Sequence, residues 1–411
     1  MSKTKLNILF LAISQGANYL LPLLIFPYLV RVMGVSNFGD LSFSLITIQV
    51  LLLIVEYGFG YSGTREVALN DDKSHLSTLF FGVVFARIFL MLVALIIMLI
   101  ICQIPLFNEV KILLYFGFIS VIASVFNPNW FLQGRQMMGV MAVLSLVSRG
   151  TAVVLIYVLI KNSTPIYVSA FLMATPYVIY SIFGLLYLFA VKEVSLIKPS
   201  LHSVLDILKK GFHFFCSTLA TSAYTMLTPI VLGGVSGKLD VGVFNSANMI
   251  KQGLAGLASP VVQAFYPRIN ILHRDNPKLA NEKSKSILKY LVLLYTVLAI
   301  PFLLFAKPIS LVIFGEKGAV IYESMRLMAL LPIFIGFNTV VGLLILVPNG
   351  MTKKYFKAIS IGSIACLAVV FPACMYFGAN GAIFSLMIAE VFVGAVMLKQ
   401  LIKLNKANRY K

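Results

Sequence analysis

The sequence predicts an all-α polytopic membrane protein with about twelve transmembrane helices in two six-helix bundles. Of its 411 residues, 60% are hydrophobic and 11% are charged, whereas about 25% of the residues of a soluble domain are charged. The apolar residues come in blocks that approach the roughly 20 residues a helix needs to cross a bilayer. A transmembrane β-barrel would show alternating strands of about ten residues instead.

Twelve apolar stretches are long enough to be transmembrane helices. The first follows Lys3 and Lys5, as a signal peptide would, but its length and polar residues favour a first membrane helix over a cleaved leader. The connections are short, apart from the Lys-rich segments 191–211 and 267–286, which we expect to be interfacial or partly helical. We place the helices at 6–30, 41–63, 78–101, 110–127, 139–160, 166–190, 212–233, 241–266, 287–306, 324–347, 355–377 and 381–402.

The Lys and Arg residues between the helices orient the chain. With a cytoplasmic N terminus, 23 of the 33 fall in cytoplasmic segments, 6 fall on the opposite side and 4 lie within helices. Because positive charges concentrate in cytoplasmic loops, we expect both termini in the cytoplasm. The net charge of +19 then reflects these loops and their contact with anionic membrane lipid, and it does not indicate nucleic acid binding.

A short echo relates the two halves of the chain. Gly34-Val35-Ser36 is followed by Asp40, and the same three letters from Gly234 are followed by Asp240. Each copy follows the first helix of its half, and the offset of 200 residues is about half of the chain. We therefore predict two parallel six-helix bundles at 1–191 and 212–411, joined by a cytoplasmic connection at 192–211.

Three basic residues, Arg87, Arg149 and Lys251, lie about ten residues inside apolar stretches. A lone cation there costs at least ~2.5–3.5 kcal/mol. The helix rise places all three roughly 15 Å from a membrane surface, near the midplane of a ~30 Å core. They either pair with acids or line a cavity that binds an anionic substrate. A cavity with arginine and lysine would suit a phosphate or pyrophosphate group.

The acids deep within helices are Glu56 and Glu390. Two carboxylates cannot neutralise three cations, so at least one cation lacks an obvious acidic partner, and we expect at least two of the three to face a substrate pathway. Each carboxylate is also a candidate for proton or ion coupling during transport, with a structural salt bridge as the alternative.

Other polar residues extend the candidate cavity. Gln15 and Asn18 share a face of the first helix, and Asn248 lies on the face of Lys251, although helix–helix hydrogen bonding is the alternative for such residues. Trp130, the single tryptophan, is expected to anchor a helix end at the membrane interface. The sequence shows no catalytic constellation, metal-ligand spacing or cofactor motif, so we expect a transporter and not an enzyme.

Five sets of residues stand out by their order and spacing along the chain: Asn127-Pro128-Asn129-Trp130-Phe131-Leu132-Gln133-Gly134, residues 309–315 with 322–327, 34–40 with Phe43, 240–244 and 265–268. Together they resemble bacterial polysaccharide flippases of the Wzx type, and the resemblance spans nearly the whole chain. It implies the fold of the multidrug/oligosaccharidyl-lipid/polysaccharide exporter superfamily, with two six-helix bundles forming a V around a central cavity.

The resemblance also implies a substrate and a location. The substrate would be an undecaprenyl-pyrophosphate-linked oligosaccharide, such as an O-antigen repeat unit, moved from the inner to the outer leaflet by alternating access. The protein would lie in the bacterial cytoplasmic (inner) membrane, in contact with polysaccharide assembly proteins.

Two other functions remain open at this stage. A drug or cation antiporter of the same superfamily should have an acidic cavity, whereas this chain has more basic than acidic residues at depth. A membrane-embedded polysaccharide polymerase should carry a large periplasmic loop, whereas the longest outer segment, about 307–323, is short.

Overall fold

The computed structural model describes residues 3–256 and 258–407, without the side chains of 3–15, 17–21, 213, 217, 220, 221, 223, 255, 258–261, 263, 264, 267 and 405–407. This part of the chain is helical and contains no strand. Its α-helices are α1 (Lys3–Glu56), α2 (Phe59–Leu69), α3 (Lys73–Ile101), α4 (Lys111–Val125), α5 (Asn129–Gly134), α6 (Met138–Leu159), α7 (Ile166–Ala190), α8 (Leu201–Val235), α9 (Lys238–Ala255), α10 (Ala258–Asp275), α11 (Pro277–Leu304), α12 (Ala306–Phe314), α13 (Tyr322–Met328), α14 (Leu331–Val340) and α15 (Thr352–Ala407). Short 3₁₀ helices span Pro105–Val110 and Glu316–Val320, and a π-helix spans Val341–Leu346.

The longest elements, α1 and α15, each consist of two helices that meet at a glycine. Gly34 has a φ of 88° and Gly378 a φ of 54°, values that favour glycine because it has no Cβ. Each glycine falls between two predicted spans, 6–30 and 41–63 in α1 and 355–377 and 381–402 in α15. Among the described residues, eight stretches are long and apolar enough to cross a membrane. The prediction of a multi-pass all-α membrane protein is confirmed.

Three predicted helices are interrupted. The span 41–63 breaks at Tyr57 and Gly58, where φ is 45° and 76°, and continues as α2. The span 241–266 is divided between α9, which ends at Ala255, and α10. The span 324–347 consists of α13, α14 and the π-helix. Hydropathy did not reveal these breaks, because the residues on both sides remain largely apolar.

Both Lys-rich connections contain helix, as one of the two expectations held, and the segment 267–286 is helical apart from Asn276. α8 begins at Leu201 and therefore includes much of the segment 191–211. The segment 267–286 forms the end of α10 and the start of α11, with a turn at Asn276. The Asn276 side chain accepts a hydrogen bond from the backbone N–H of Leu279 at 3.0 Å, and Pro277 occupies the first turn of α11. Together they form a favourable N-terminal cap. α10 and α11 therefore form a helical hairpin in which Asn276 is the connecting residue.

Arg135 joins three connections at one end of the first half. Its Nη1 donates to Asp71 Oδ1 at 2.9 Å, and its Nε donates to Glu193 Oε2 at 3.0 Å. The hydrogen bond to Asp71, assisted by the charge of Glu193, raises the pKa of the guanidinium. The connections after α2, α5 and α7 are thereby held together.

The chain forms two compact units. Unit 1 comprises Met1–Ile25 and Asp40–Ser222, and unit 2 comprises Phe26–Gly39 and Ala223–Lys411. α1 and α8 therefore each contribute residues to both units. The predicted six-helix halves at 1–191 and 212–411 follow the order of the sequence, and they stay a prediction.

The segment Phe26–Gly39 is held in unit 2 by reciprocal hydrogen bonds. Arg31 Nε donates to the carbonyl of Ile313 at 2.8 Å and its Nη2 donates to that of Val312, at the end of α12. Lys317 Nζ donates in turn to the carbonyl of Arg31 at 2.9 Å. Terminal carbonyls of a helix lack intrahelical partners and attract cations. Arg31 therefore caps the end of α12, and Lys317 in turn caps α1 near its glycine break.

The same segment crosses the start of α9 at two glycines. A carbon added at Gly39 would collide with the carbonyl oxygen of Lys238, and one added at Gly242 would collide with that of Val35. The two glycines are 203 residues apart, and so are the two residues whose carbonyl oxygens they face, Val35 and Lys238. Gly34 and Gly237 have the same offset and similar backbone angles, with φ of 88° and 91° and ψ of 165° and 173°. The backbone therefore repeats at 203 residues, three more than the sequence echo.

Candidate functional site

Arg87, on α3, is buried against the end of α4. It is 5% exposed, and its Nη1 donates to the carbonyl oxygens of Ser124 at 3.1 Å and Asn127 at 2.9 Å. Its guanidinium carbon lies 5.8 Å from the ring centroid of Phe59 on α2. Carbonyl groups at a helix end need donors and attract cations. Arg87 therefore joins α2, α3 and α4.

Glu56, the last residue of α1, supplies a negative charge near Arg87. The two side chains interact electrostatically, although the residue Glu56 is itself exposed. The chain turns directly after it at Tyr57 and Gly58, and a carbon added at Gly58 would lie 2.7 Å from Cβ of Phe214 on α8. Arg87 thus has an electrostatic interaction with Glu56 in addition to its two hydrogen bonds, and the functional roles of both residues stay predictions.

Arg149, on α6, has different neighbours. It is partly buried and interacts electrostatically with Tyr177 and Tyr180 on α7. Tyr177 is also within electrostatic range of Glu56, and the Tyr180 hydroxyl donates to Asn129 Oδ1 at 2.8 Å. These residues form the polar cluster of unit 1, which we define as Glu56, Arg87, Arg149, Tyr177 and Tyr180.

Lys251, on α9, belongs to a polar cluster in unit 2. It is partly buried and interacts electrostatically with Glu390 on α15. Asn338 Nδ2, from α14, donates to Glu390 Oε2 at 2.7 Å and to the Glu390 carbonyl at 3.0 Å. The Tyr224 side chain, from α8, also hydrogen-bonds Glu390. The polar cluster of unit 2 thus consists of Lys251, Glu390, Asn338 and Tyr224.

Three further candidates extend the predicted cavity. Asn248 lies one turn before Lys251, and its Oδ1 is buried without a hydrogen-bond partner among the described residues. Gln15 and Asn18 lie on α1, but their side chains are outside the described part of the chain. Their place in a cavity stays a prediction.

Trp130 is a core residue, so the expected interfacial anchor is wrong. The residue is 3% exposed, and its ring stacks on Phe80 with centroids 5.9 Å apart. A carbon added at Gly63 would lie 2.6 Å from Trp130 Cε3, and Thr64 Oγ1 donates to the Trp130 carbonyl at 2.9 Å. The indole fills the space beside α2 that the missing side chain of Gly63 leaves open.

Sequence reasoning missed the tyrosines of both clusters. Tyr177 and Tyr180 are three residues apart and therefore share a face of α7, which is the signal that could have revealed them. Tyr224 gave no comparable signal in the sequence. Within the described part of the chain, no group of three or more His, Cys, Asp or Glu side chains is placed to hold a metal ion.

Residues 5–273 match a protein-family model described as polysaccharide biosynthesis protein. The chain belongs to this polysaccharide biosynthesis family. A relative from Escherichia coli (strain K12) named "Putative O-antigen transporter" is 31% identical over 400 residues, which cover 95% of both chains. A relative of the same name from Shigella dysenteriae is 28% identical over 402 residues, 96% of this chain and 99% of the relative. The resemblance noted in the sequence is confirmed.

Solved transporter structures share the fold of this family member. An inward-facing multidrug resistance MATE family transporter of the MOP superfamily matches with a TM-score of 0.75 and 17% identity, over 98% of this chain and 99% of that one. A MOP superfamily transporter from Pyrococcus furiosus matches with a TM-score of 0.53 and 16% identity, over 97% and 96%. At such identities the likeness establishes the fold alone.

Proposed function

We propose that this protein flips an undecaprenyl-pyrophosphate-linked oligosaccharide, an O-antigen unit or a similar repeat, across the bacterial inner membrane. Transport would run from the cytoplasmic to the outer leaflet by alternating access, with both termini in the cytoplasm. Family membership and the relatives named for O-antigen transport support this substrate class. The observation that carries the proposal is that each unit holds a partly buried cation, Arg149 in unit 1 and Lys251 in unit 2. The sequence predicts both to lie near the membrane midplane.

Arg149 is the main ligand proposed for the pyrophosphate. A guanidinium can donate two parallel hydrogen bonds to phosphate oxygens, and the neighbouring hydroxyl of Tyr177 adds another potential donor. Lys251 would add a point charge from unit 2. Arg87 is not among the proposed ligands, because its Nη1 already donates to two carbonyls at the end of α4.

The proposed ion coupling rests on Glu390. A pyrophosphate that approaches Lys251 competes with Glu390 for the same cation. The carboxylate would remain held by Asn338 and Tyr224, and it could then take up a proton to balance its charge. Glu56 is the weaker candidate, because its cation Arg87 is fixed by other contacts.

The charges favour this function over export of cationic drugs. The charged residues that the sequence places deep in helices are three cations and two carboxylates. A net positive interior repels a cationic drug and attracts a pyrophosphate.

The test is complementation of a bacterium that lacks its own flippase and makes a compatible lipid-linked repeat unit. Arg149→Ala and Lys251→Ala should each lower surface polysaccharide at least about tenfold at equal protein level in the membrane, since a charged contact of roughly 1.5–3 kcal/mol is lost. The matched control is Lys354→Ala, which removes an exposed lysine near the start of α15 and should assemble normal polysaccharide. Full complementation by both deep variants would refute the proposed site.

A further inference from the structure

A groove opens between α10 and α11 of unit 2. Its volume is about 680 Å³, and none of its lining residues belongs to the two polar clusters. The apolar part of the lining consists of Phe265, Ile269, Ile271, Leu272, Ile287 and Tyr290. Ile271 is 63% exposed and Tyr290 is 69% exposed. An exposed apolar surface of this size favours contact with an apolar ligand, because contact removes it from water.

Two cations, one from each helix, lie on the same groove. Arg268 and Lys283 are both exposed and both line it. The acid of the groove, Asp275, lies 3.6 Å from the guanidinium of Arg274, so its charge is balanced locally. The groove is therefore positive and suits an anionic group.

Part of the apolar lining lies beyond the two cations, where the acyl chain of an amphiphile bound at the cations could lie. Arg268 and Lys283 are eight and seven residues from the turn at Asn276, which places both about 10–12 Å along their helices. Phe265 and Ile287 are each eleven residues from the turn, roughly 16 Å along. Phe265 and Ile287 therefore lie beyond the cations, on the side away from the end of the hairpin, which the charge distribution predicts to be cytoplasmic. Two other apolar lining residues, Ile271 and Leu272, lie nearer to the turn.

We propose that this groove binds a phospholipid with an anionic headgroup, such as phosphatidylglycerol. The phosphate would lie between Arg268 and Lys283, and an acyl chain would cover Phe265, Ile287 and Tyr290. Basic pockets between transmembrane helices on the cytoplasmic side are suited to anionic lipid headgroups. The site is separate from the proposed transport ligands, and it would make the stability of the protein dependent on membrane composition.

The experiment measures lipid binding to the purified full-length protein in detergent by native mass spectrometry. Phosphatidylglycerol is compared with phosphatidylcholine of the same acyl chains. The wild type should prefer the anionic lipid about tenfold, and the double variant Arg268→Gln/Lys283→Gln should lose that preference, since each basic residue near a headgroup contributes to anionic lipid binding. Lys289→Gln, on the same helix but outside the groove lining, should keep it.

Two further arms identify the occupant. Tyr290→Ser should weaken the binding of both lipids, because it removes an apolar surface that contacts the acyl chain. The melting temperature of this variant without added lipid should be unchanged. Inorganic phosphate alone should not compete at concentrations that match the lipid. The proposal is overturned by equal binding of the two lipids to the wild type, or by an unchanged preference in the double variant. It is equally overturned by competition from inorganic phosphate, or by displacement of phosphatidylglycerol by stoichiometric undecaprenyl phosphate, which would assign the groove to the carrier lipid.

Discussion

Arg87 and Arg149 have the same predicted depth, but their surroundings in unit 1 differ. Arg87 donates to the carbonyls of Ser124 and Asn127 and lies near Glu56, so its positive charge serves helix packing. Arg149 is less buried and lies beside two tyrosines. A residue's depth in an apolar stretch thus identifies a costly cation, and its contacts decide what the cation does.

Arg87→Ala should therefore mainly affect stability. It leaves two carbonyls without their donor and Glu56 without its cation, so the free energy of unfolding should fall by about 2–4 kcal/mol. Arg149→Ala should lower it by clearly less. Thermal unfolding of both purified variants in one detergent measures the difference, and equal losses would contradict the division of roles.

Glu390→Gln should leave substrate binding intact and abolish the coupling of transport to a proton gradient. The glutamine side chain keeps an oxygen that can accept from Asn338, but it cannot exchange a proton. Transport by this variant should no longer respond to an imposed proton gradient. The control is Glu66→Gln, which alters a carboxylate 3.0 Å from Lys210 at the surface of unit 1 and should leave the response intact. An unchanged response in Glu390→Gln would exclude this carboxylate as the coupling group.

The sequence singled out the charged residues of the two clusters, but it did not reveal the groups that surround them. The scarcity of deep acids indicated that some cations would lack a carboxylate, and the structure gives Arg87 and Lys251 one acid neighbour each. The carbonyl acceptors of Arg87 could not be predicted, because they depend on where α4 ends and on how α3 packs there. The tyrosines of α7 escaped attention because aromatic residues in an apolar stretch are usually packing residues.

At the scale of helices, the crossing of the segment Phe26–Gly39 with α9 depends on two glycines. Any side chain at Gly39 or Gly242 would strike a carbonyl oxygen of the opposing segment. This close approach lies within unit 2, and the two glycines are 203 residues apart. The sequence echo indicated a repeat with an offset of 200 residues. The equivalent glycines of the structure are 203 residues apart, because the second copy has three more residues before α9.

Gly39→Ala and Gly242→Ala should each lower the melting temperature, because the backbones must separate to admit a methyl group. The control is Gly60→Ala on α2, where an added carbon meets no atom within 4 Å among the described residues. That change should be neutral or stabilising, since alanine is favoured over glycine in a helix by about 1 kcal/mol. A drop of the same size in all three variants would show that the crossing is not the cause.

The helices themselves were predictable to different degrees. The span 166–190 coincides with α7 because an apolar stretch there is bounded by Pro165 and by the polar residues after Ala190. The start of α8 at Leu201 was missed, because Lys209 and Lys210 led us to assign its first turns to a Lys-rich connection. The break after Glu56 was missed because Gly58 stands among apolar and aromatic residues, and the structure fixes it there by packing against Phe214.

At the scale of the whole molecule, the chain is divided between two units in a way that its sequence does not reveal. α1 and α8 each supply residues to both units, and each unit holds one polar cluster. The fold class followed from composition and apolar block length, and family membership follows from residues 5–273. The division of single helices between units depends on tertiary contacts, so no local pattern could have predicted it.

The central claim is transport of a lipid-linked pyrophosphate oligosaccharide by a cation-lined path. The most direct measurement uses the purified full chain in vesicles with a fluorescent undecaprenyl-pyrophosphate oligosaccharide, whose leaflet is read by a membrane-impermeant quencher. The wild type should move the lipid between leaflets, and Arg149→Ala should do so at about a tenth of the rate or less, as expected from the loss of a charged contact. Movement at the wild-type rate by Arg149→Ala, or no movement by the wild type with a compatible oligosaccharide, would contradict the account.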